Sequence, residues 1–78
     1  MTRDTLLRSL LALDATRTVS VEFVKVGDGS LRQMRCQVTG ERKPDLILVW
    51  DMDKLAWRSF WAASVVRVDF GGGWVKVD

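Results

Sequence analysis

The amino-acid sequence predicts a mainly β protein with one N-terminal α-helix, in which about five antiparallel strands form a small barrel. Two patterns carry this prediction. Leucines recur at spacings of three and four between Leu6 and Leu13, which is the period of an α-helix. From Thr18 onward, short segments of alternating apolar and polar residues are separated by turns rich in Gly and Asp, which is typical of a β meander. The segment 46–70 alone contains three of the predicted strands.

The chain has 78 residues, which is the size of a single small domain. We predict one domain over 1–78, made of a helical segment at 1–15, a barrel at 18–70, and a glycine joint with a short final strand at 71–78. A content of 47% hydrophobic and 28% charged residues indicates a folded core rather than disorder. A domain of this size buries only about 60% of the surface of its unfolded chain, so we expect modest stability.

The residue counts exclude several kinds of site. The single cysteine, Cys36, cannot form a disulfide within the chain, and without histidine the chain lacks a zinc ligand set. Such a composition is typical of a protein in a reducing cytoplasm. The apolar segment 6–13 is interrupted by Arg8 and is far shorter than a membrane span, so neither a membrane anchor nor a signal peptide is predicted. The net charge of +2 does not by itself indicate a nucleic-acid partner.

The first predicted element is a helix of about three turns over 2–14. Thr2 or Asp4 can cap its free N–H groups, and the Asp4 carboxylate also suits the positive end of the helix dipole. The leucine stripe of this helix must pack on another element. We expect it to cover one open end or face of the sheet that follows; the alternative is a helix that binds a partner or a second copy.

The next two elements form a predicted hairpin. In the strand 18–26, Val19, Val21 and Phe23 share one face, and the segment GDGS at 27–30 supplies the turn. In the return strand 31–39, the face opposite Gln33, Arg35 and Gln37 is apolar; its members are Met34, Cys36 and Val38. We interpret Cys36 as a small buried hydrophobic residue, because no histidine is present to activate its thiol.

The rest of the chain is predicted to continue the meander. Leu46–Trp50 is nearly all apolar, which is expected of a strand covered on both faces, with the N-terminal helix on one side. The other segments are, in chain order, a loop at 40–45, a turn at 51–54, a strand at 56–61, a short helical corner at 62–64, a strand at 65–70, a glycine joint at 71–73, and a short final strand at 74–77.

No catalytic, metal or cofactor motif is present in the sequence. Asp51 and Asp53 have the spacing of the first calcium-loop ligands, but Ala56 and Ala62 stand where the turn glycine and the bidentate acid are needed. We interpret the two aspartates as turn residues that accept hydrogen bonds from the local backbone. The triple glycine is followed by Trp74 rather than by the lysine of a phosphate loop. We therefore predict a protein without enzymatic activity and without a cofactor.

What remains is a binding surface built from cationic and aromatic residues on neighbouring strands. Arginine and tryptophan side chains dominate protein-binding hot spots, and they also hold phosphates and stack bases in small barrels that bind single strands. In the alternative interpretation the tryptophans belong to the core and the arginines form a solvated face. The predicted binding residues are Arg32, Arg35, Lys54, Trp57, Arg58 and Trp61.

The hairpin VEFVKVGDGSLRQMRC and the segment VWDMDKLAWRSFWAASVVRVDF resemble a set of small phage-encoded proteins with an SH3-like β-barrel. The resemblance covers about residues 19–70, and its specific motifs are Met34-Arg35-Cys36, Val49-Trp50-Asp51 and Trp57-Arg58-Ser59-Phe60. It implies an SH3-like barrel and an accessory phage protein in the cytoplasm of the infected bacterial host. It carries over no activity and no catalytic residues. The leucine-rich helix and the glycine-tryptophan tail depart from the pattern of the family.

These observations predict a non-enzymatic binding module, a monomer or weak dimer without a membrane partner, that modulates a host or phage protein. The second hypothesis is a small barrel that binds single-stranded nucleic acid through the predicted cations, which would make its binding steeply dependent on salt. A third is a minor structural or assembly component of the virion.

Overall fold

The computed structural model describes residues 1–78 and contains one α-helix, six β-strands and one turn of 3-10 helix. The helix is the segment at the N-terminus, and the strands follow one another along the chain. Their bounds are α1 (Arg3–Leu11), β1 (Thr18–Val24), β2 (Leu31–Lys43), β3 (Leu46–Asp51), β4 (Ala56–Trp61), the 3-10 turn (Ala62–Ser64), β5 (Val65–Asp69) and β6 (Trp74–Lys76).

All six strands belong to one antiparallel sheet with the order β4-β3-β2-β1-β5-β6. β2 is 13 residues long and pairs with β1 through its first half and with β3 through its second half. The prediction of a mainly β fold with an N-terminal helix is confirmed, and so is the short final strand. Strand pairing does not close the sheet into a barrel, because β4 and β6 are its two edges.

The sheet nevertheless curls back on itself. Phe23 of β1 and Phe60 of β4 stack with their ring centroids 5.8 Å apart, although β2 and β3 lie between those strands in the sheet. Register shifts in β2 between Val38 and Gly40 and between Glu41 and Lys43 mark bulges, which increase twist and bend a strand. The curled sheet thereby encloses a core on its concave face.

The predicted loop at 40–45 is wrong for most of its length. β2 continues to Lys43, and only Pro44 and Asp45 form the turn to β3. Asp45 has a φ of 66°, and its N–H donates to the Glu41 carboxylate at 3.0 Å. The segment has the polar composition of a loop because this end of the hairpin extends beyond the core, so that the side chains at 41–43 are exposed on both faces.

β3 is also less covered than its composition predicts. Ile47 and Val49 are buried, whereas Leu46, Leu48 and Trp50 on the other face are half-buried. The helix packs chiefly on β2 and the 3-10 turn, and its buried leucines share the core with Ile47 and Val49 of β3. On that face, the ring of Trp57 in β4 contacts the ring of Trp50 and contributes to its partial cover.

The helix forms as predicted but ends earlier, at Leu11. The Thr2 hydroxyl accepts the N–H of Thr5 at 3.2 Å, which is the capping interaction that satisfies one of the free N–H groups of the first turn. Leu6 and Leu10 are fully buried against the sheet. The leucine stripe therefore covers the core, as predicted, instead of forming an exposed surface for a partner. The buried hydrophobic cluster comprises Leu6, Leu10, Val19, Val21, Met34, Cys36, Val38, Ile47, Val49, Phe60, Val65, Val68 and Val77.

Truncation of the helix on its buried face should destabilise the whole domain. We expect Leu10→Ala to lower the free energy of unfolding by about 2–5 kcal/mol, because Leu10 is fully buried and its loss leaves a cavity. Leu11→Ala is the matched control, since Leu11 is 39% exposed and should lose far less. Urea unfolding of both variants measures the difference. Equal losses at the two positions would contradict the packing described.

Candidate binding groove

An open groove of about 530 Å³ lies between the free edge of β4 and the end of the β1–β2 hairpin. We call it the β4 groove. Phe23, Met34 and Phe60 belong to its lining and mark where the groove meets the core. Its volume is within the range of about 300–1,000 Å³ that is common for ligand sites. The complete lining is Phe23, Val24, Lys25, Val26, Arg32, Gln33, Met34, Leu46, Asp51, Lys54, Trp57, Arg58, Ser59, Phe60, Trp61 and Ser64.

The alternation of residues along β4 presents two kinds of side chain at the groove. Arg58 and Phe60 pair with Val49 and Ile47, whose side chains are buried on the concave face. Trp57, Ser59 and Trp61 lie on the convex face, since successive side chains of a strand point to opposite sides. Trp57 and Trp61 therefore stand on the outer rim, where they are 60% and 39% exposed. The alternative interpretation, that Trp50, Trp57 and Trp61 are mostly core, is wrong for Trp57 and Trp61, whereas Trp50 is half-buried.

Each of the two exposed tryptophans has a neighbour that restricts its motion. The ring of Trp57 meets the ring of Trp50 edge to face, with centroids 5.1 Å apart. The Lys43 Nζ lies 5.5 Å from the centroid of the Trp61 ring, which is a cation–π distance. These contacts restrict the motion of two exposed indole rings.

The groove carries more positive than negative charge. Lys25, Arg32, Lys54 and Arg58 belong to its lining, and Asp51 is the one acidic residue there. The Asp51 carboxylate is 5% exposed and already engaged. Its Oδ1 accepts the N–H groups of residues 53 and 54 at 2.9 and 3.0 Å, and its Oδ2 lies 3.3 Å from the Nε of Arg58. The prediction that both turn aspartates bond the local backbone is confirmed for Asp51 and wrong for Asp53, whose carboxylate accepts from the Arg35 guanidinium.

The structure brings five of the six predicted binding residues to the β4 groove: Arg32, Lys54, Trp57, Arg58 and Trp61. Arg35 is not among the lining residues. Its guanidinium pairs with the Asp53 carboxylate at 3.2 Å. Strand parity separates the two β2 arginines, because Arg32 shares a face with buried Met34 whereas Arg35 lies on the opposite face.

Sequence reasoning missed the hairpin side of the groove, notably Lys25 and Val26. Lys25 stands at the turn of the hairpin, where its N–H donates to the Ser30 C=O at 2.8 Å. The turn itself was predictable from GDGS. The approach of this turn to β4 was not predictable, because β1 and β4 are not paired and come close only through the curl of the sheet.

The Cys36 thiol is buried and unsuited to nucleophilic chemistry. Burial, and secondarily the nearby Asp51 carboxylate, raises the pKa of this thiol to about 12. The thiolate is therefore scarce at neutral pH. The interpretation of Cys36 as a small buried hydrophobic residue is confirmed. No group of three or more His, Cys, Asp and Glu side chains is arranged to hold a metal ion.

A second polar cluster shares only Gln33 with the groove lining and ties four strands together. The Glu22 carboxylate of β1 accepts from the Gln33 amide at 2.9 Å and from the Arg67 Nε at 2.9 Å. The Arg67 guanidinium in turn lies 4.4 Å from the centroid of the Trp74 ring on β6. The Gln33 hydrogen bond, followed by the Arg67 contacts, lowers the pKa of Glu22. We interpret this cluster as structural.

No protein-family model, curated protein or solved structure matches the chain. No helix of the protein has the length and apolar character needed to span a bilayer.

The hydrogen bonds that the Asp51 carboxylate accepts should stabilise the fold more than its negative charge does. We expect Asp51→Ala to lower the free energy of unfolding by about 1–3 kcal/mol, because two backbone N–H groups lose their acceptor. Asp51→Asn keeps an amide oxygen for both N–H groups and should cost less. Chemical denaturation compares the two variants. A larger loss for Asp51→Asn would contradict this assignment.

Glu22 should make stability depend on pH at the acidic end. Its pKa in the folded protein lies below the ordinary value of 4.5, so the ionised group stabilises the fold above that pH and loses this effect as pH falls through the folded value. We expect Glu22→Gln to be less stable than the wild type at pH 7 and to converge with it at lower pH. Thermal unfolding of the wild type and of Glu22→Gln, from pH 7 down to the acidic range, measures the difference in stability at each pH. A gap that stays constant with pH would contradict the assignment.

Proposed function

We propose that the protein is a non-enzymatic accessory protein of a bacteriophage, a small SH3-like barrel module that binds and modulates a host or phage protein through the β4 groove. One observation carries the proposal: exposed, braced tryptophans stand beside cationic side chains at a groove along an open strand edge. The phage origin, and with it the cytoplasm of the infected bacterium, rests on the motif resemblance over residues 19–70.

The groove has the chemistry of a protein-binding hot spot. Tryptophan and arginine are enriched among residues that dominate binding energy, and Trp57, Trp61 and Arg58 lie on one strand. Because Trp57 is held by Trp50 and Trp61 lies under Lys43, less side-chain entropy is lost when a partner packs on them. Hot spots of this kind favour a specific partner over diffuse charge attraction.

The curled sheet supports the SH3-like part of the proposal. β2 is shared by both halves of the sheet, a 3-10 turn connects β4 to β5, and Phe23 stacks on Phe60 across the gap between the two halves. A small barrel requires this kind of continuity, because its strands must turn around a single core. The short helical corner at 62–64, expected from the small residues there, lies where such a turn is needed.

A second candidate function is the binding of single-stranded nucleic acid. The observation that favours it is the placement of four lining cations next to two exposed indole rings. Positive grooves with aromatic side chains hold backbone phosphates and stack bases without sequence preference. Ionic strength distinguishes this function from the first, because phosphate binding weakens steeply with salt.

Affinity capture from phage-infected bacterial lysate tests the leading proposal. We expect the tagged protein to retain one stoichiometric protein after nuclease treatment, and Trp57→Ala to lose it, because Trp57 is the most exposed aromatic residue of the groove. Arg35→Ala is the matched control, since Arg35 is paired with Asp53 and is not part of the groove lining. Loss of all retained material on nuclease treatment would contradict the proposal.

Fluorescence anisotropy with a labelled oligo-dT tests the second candidate. If the protein module is the correct function, binding should be negligible at about 0.15 M salt. Tight binding whose logarithm falls linearly with the logarithm of salt concentration, and which Arg58→Ala weakens while Arg35→Ala does not, would establish the nucleic-acid function instead.

A further inference from the structure

We propose that the partner enters the β4 groove as an extended acidic segment that adds a strand to the free edge of β4. This inference rests on the proposed function of the groove and adds to it the mode of binding and the chemistry of the bound segment. β-strand addition uses the main-chain groups of a sheet edge for affinity and the alternating side chains for specificity. Both are present on β4.

Two hydrogen bonds establish which way the backbone groups of β4 point. The Met52 N–H donates to the Arg35 C=O at 2.8 Å, so the even-numbered residues of β3 face β2 and its odd-numbered residues face β4. The Ala62 N–H donates to the Asp45 C=O at 2.8 Å, which agrees with that alternation. Through the register of β3 with β4, Arg58 and Phe60 are consequently the residues that bond β3.

The odd-numbered residues of β4 direct their backbone groups to the free edge. Trp57 and Ser59 present both their N–H and their C=O there, because main-chain groups alternate sides along an antiparallel strand. The Trp61 C=O on the same edge accepts the Ser64 hydroxyl at 2.7 Å. From Trp57 to Trp61 the edge is about 13 Å long, which suits four or five residues of an extended peptide.

The two edges of the sheet differ in how they are covered. At β6, the Met1 amine donates to the Lys76 C=O at 3.0 Å, and the Asp78 N–H donates to the Met1 C=O at 2.8 Å. The N-terminus thereby occupies part of that edge. β4 has no such cover, contains no proline, and pairs with β3 in a regular register without a bulge. It thus lacks proline, a bulge and a covering segment, three of the devices that block strand addition, and Arg58 is its one inward-facing charge.

The charge of the groove indicates an acidic segment. Four cations line the groove, and the single lining carboxylate, that of Asp51, is occupied by two backbone N–H groups and Arg58. An extended peptide alternates its side chains between two faces, so one set faces the concave side beside Phe60 and Phe23 and the other faces the tryptophan rim. We therefore expect acidic residues alternating with apolar ones.

Two other occupants fit the same observations less well. A second copy of the chain joined through β4 would bring the four lining cations of each copy towards those of the other, which opposes association. A nucleic-acid strand has no regular row of N–H donors for the C=O groups of Trp57 and Ser59. A peptide strand satisfies both the charge and the free edge.

Hydrogen exchange with a defined peptide library tests the proposal. The probes are acetylated heptapeptides with glutamate at alternate positions and valine, leucine or phenylalanine between them. We expect a binding peptide to slow the exchange of the Trp57 and Ser59 amides. The Arg58 and Phe60 amides are the internal control, since β3 already protects them. Absence of added protection at Ser59 with every peptide at millimolar concentration would overturn the proposal.

Backbone N-methylation of the best peptide separates strand addition from simple charge attraction. Methylation of the amides that face β4 should weaken binding about tenfold or more, whereas methylation of the alternate amides should have little effect. Ser59→Pro should abolish binding, because it removes a donor that faces the free edge and leaves the bonds to β3. Arg58→Ala should weaken binding, and Arg35→Ala should not.

The outcomes distinguish failure of this inference from failure of the proposed function. Binding that Trp57→Ala abolishes, but that neither Ser59→Pro nor N-methylation changes, would overturn strand addition and leave the protein-binding groove in place. Protection of the Ser59 amide by oligo-dT, and by none of the peptides, would overturn strand addition and the protein-binding function, in favour of nucleic-acid binding. Protection that grows with protein concentration and accompanies a dimer in sedimentation would overturn the peptide partner in favour of a second copy.

Discussion

The stacking of Phe23 on Phe60 is the contact on which the rest of the architecture depends. It joins β1 to β4, two strands that share no hydrogen bonds, and so fixes the curl of the sheet around a core too small to tolerate a flat arrangement. The bulges of β2 make that curl possible, because they bend the strand where it passes from β1 to β3. The helix then covers the core with Leu6 and Leu10.

The same contact explains why the β4 groove exists. Side chains close the two halves of the sheet over the core, but no backbone pairing follows, so the free edge of β4 lies beside the hairpin end with space between them. Asp51 adds a second constraint, since its carboxylate holds the β3–β4 turn and also contacts Arg58. A structural aspartate thus positions one of the groove's cations.

Periodicity predicted the elements well where one face is buried and the other is not. Val19, Val21 and Met34 alternate with polar residues, and their strands were correctly placed. The loop predicted at 40–45 was wrong because this end of the β2–β3 hairpin extends beyond the core. Its residues are exposed on both faces, so their sequence lacks the apolar–polar alternation of a half-buried strand. The sequence prediction placed Arg32 and Arg35 on one binding surface, although two residues three positions apart on a strand lie on opposite faces. The approach of Lys25 to β4 depends on the curl, which no local pattern encodes.

The central physical claim is that β4 is an open edge beside a curled sheet in the free protein. Backbone amide hydrogen exchange of the wild-type chain without any ligand tests it most directly. Slow exchange at Arg58 and Phe60, together with fast exchange at Trp57 and Ser59, is the expected pattern, since only the first pair faces β3. Equal protection at all four amides, at a protein concentration where the chain is monomeric, would mean that the edge is already paired and would contradict the claim.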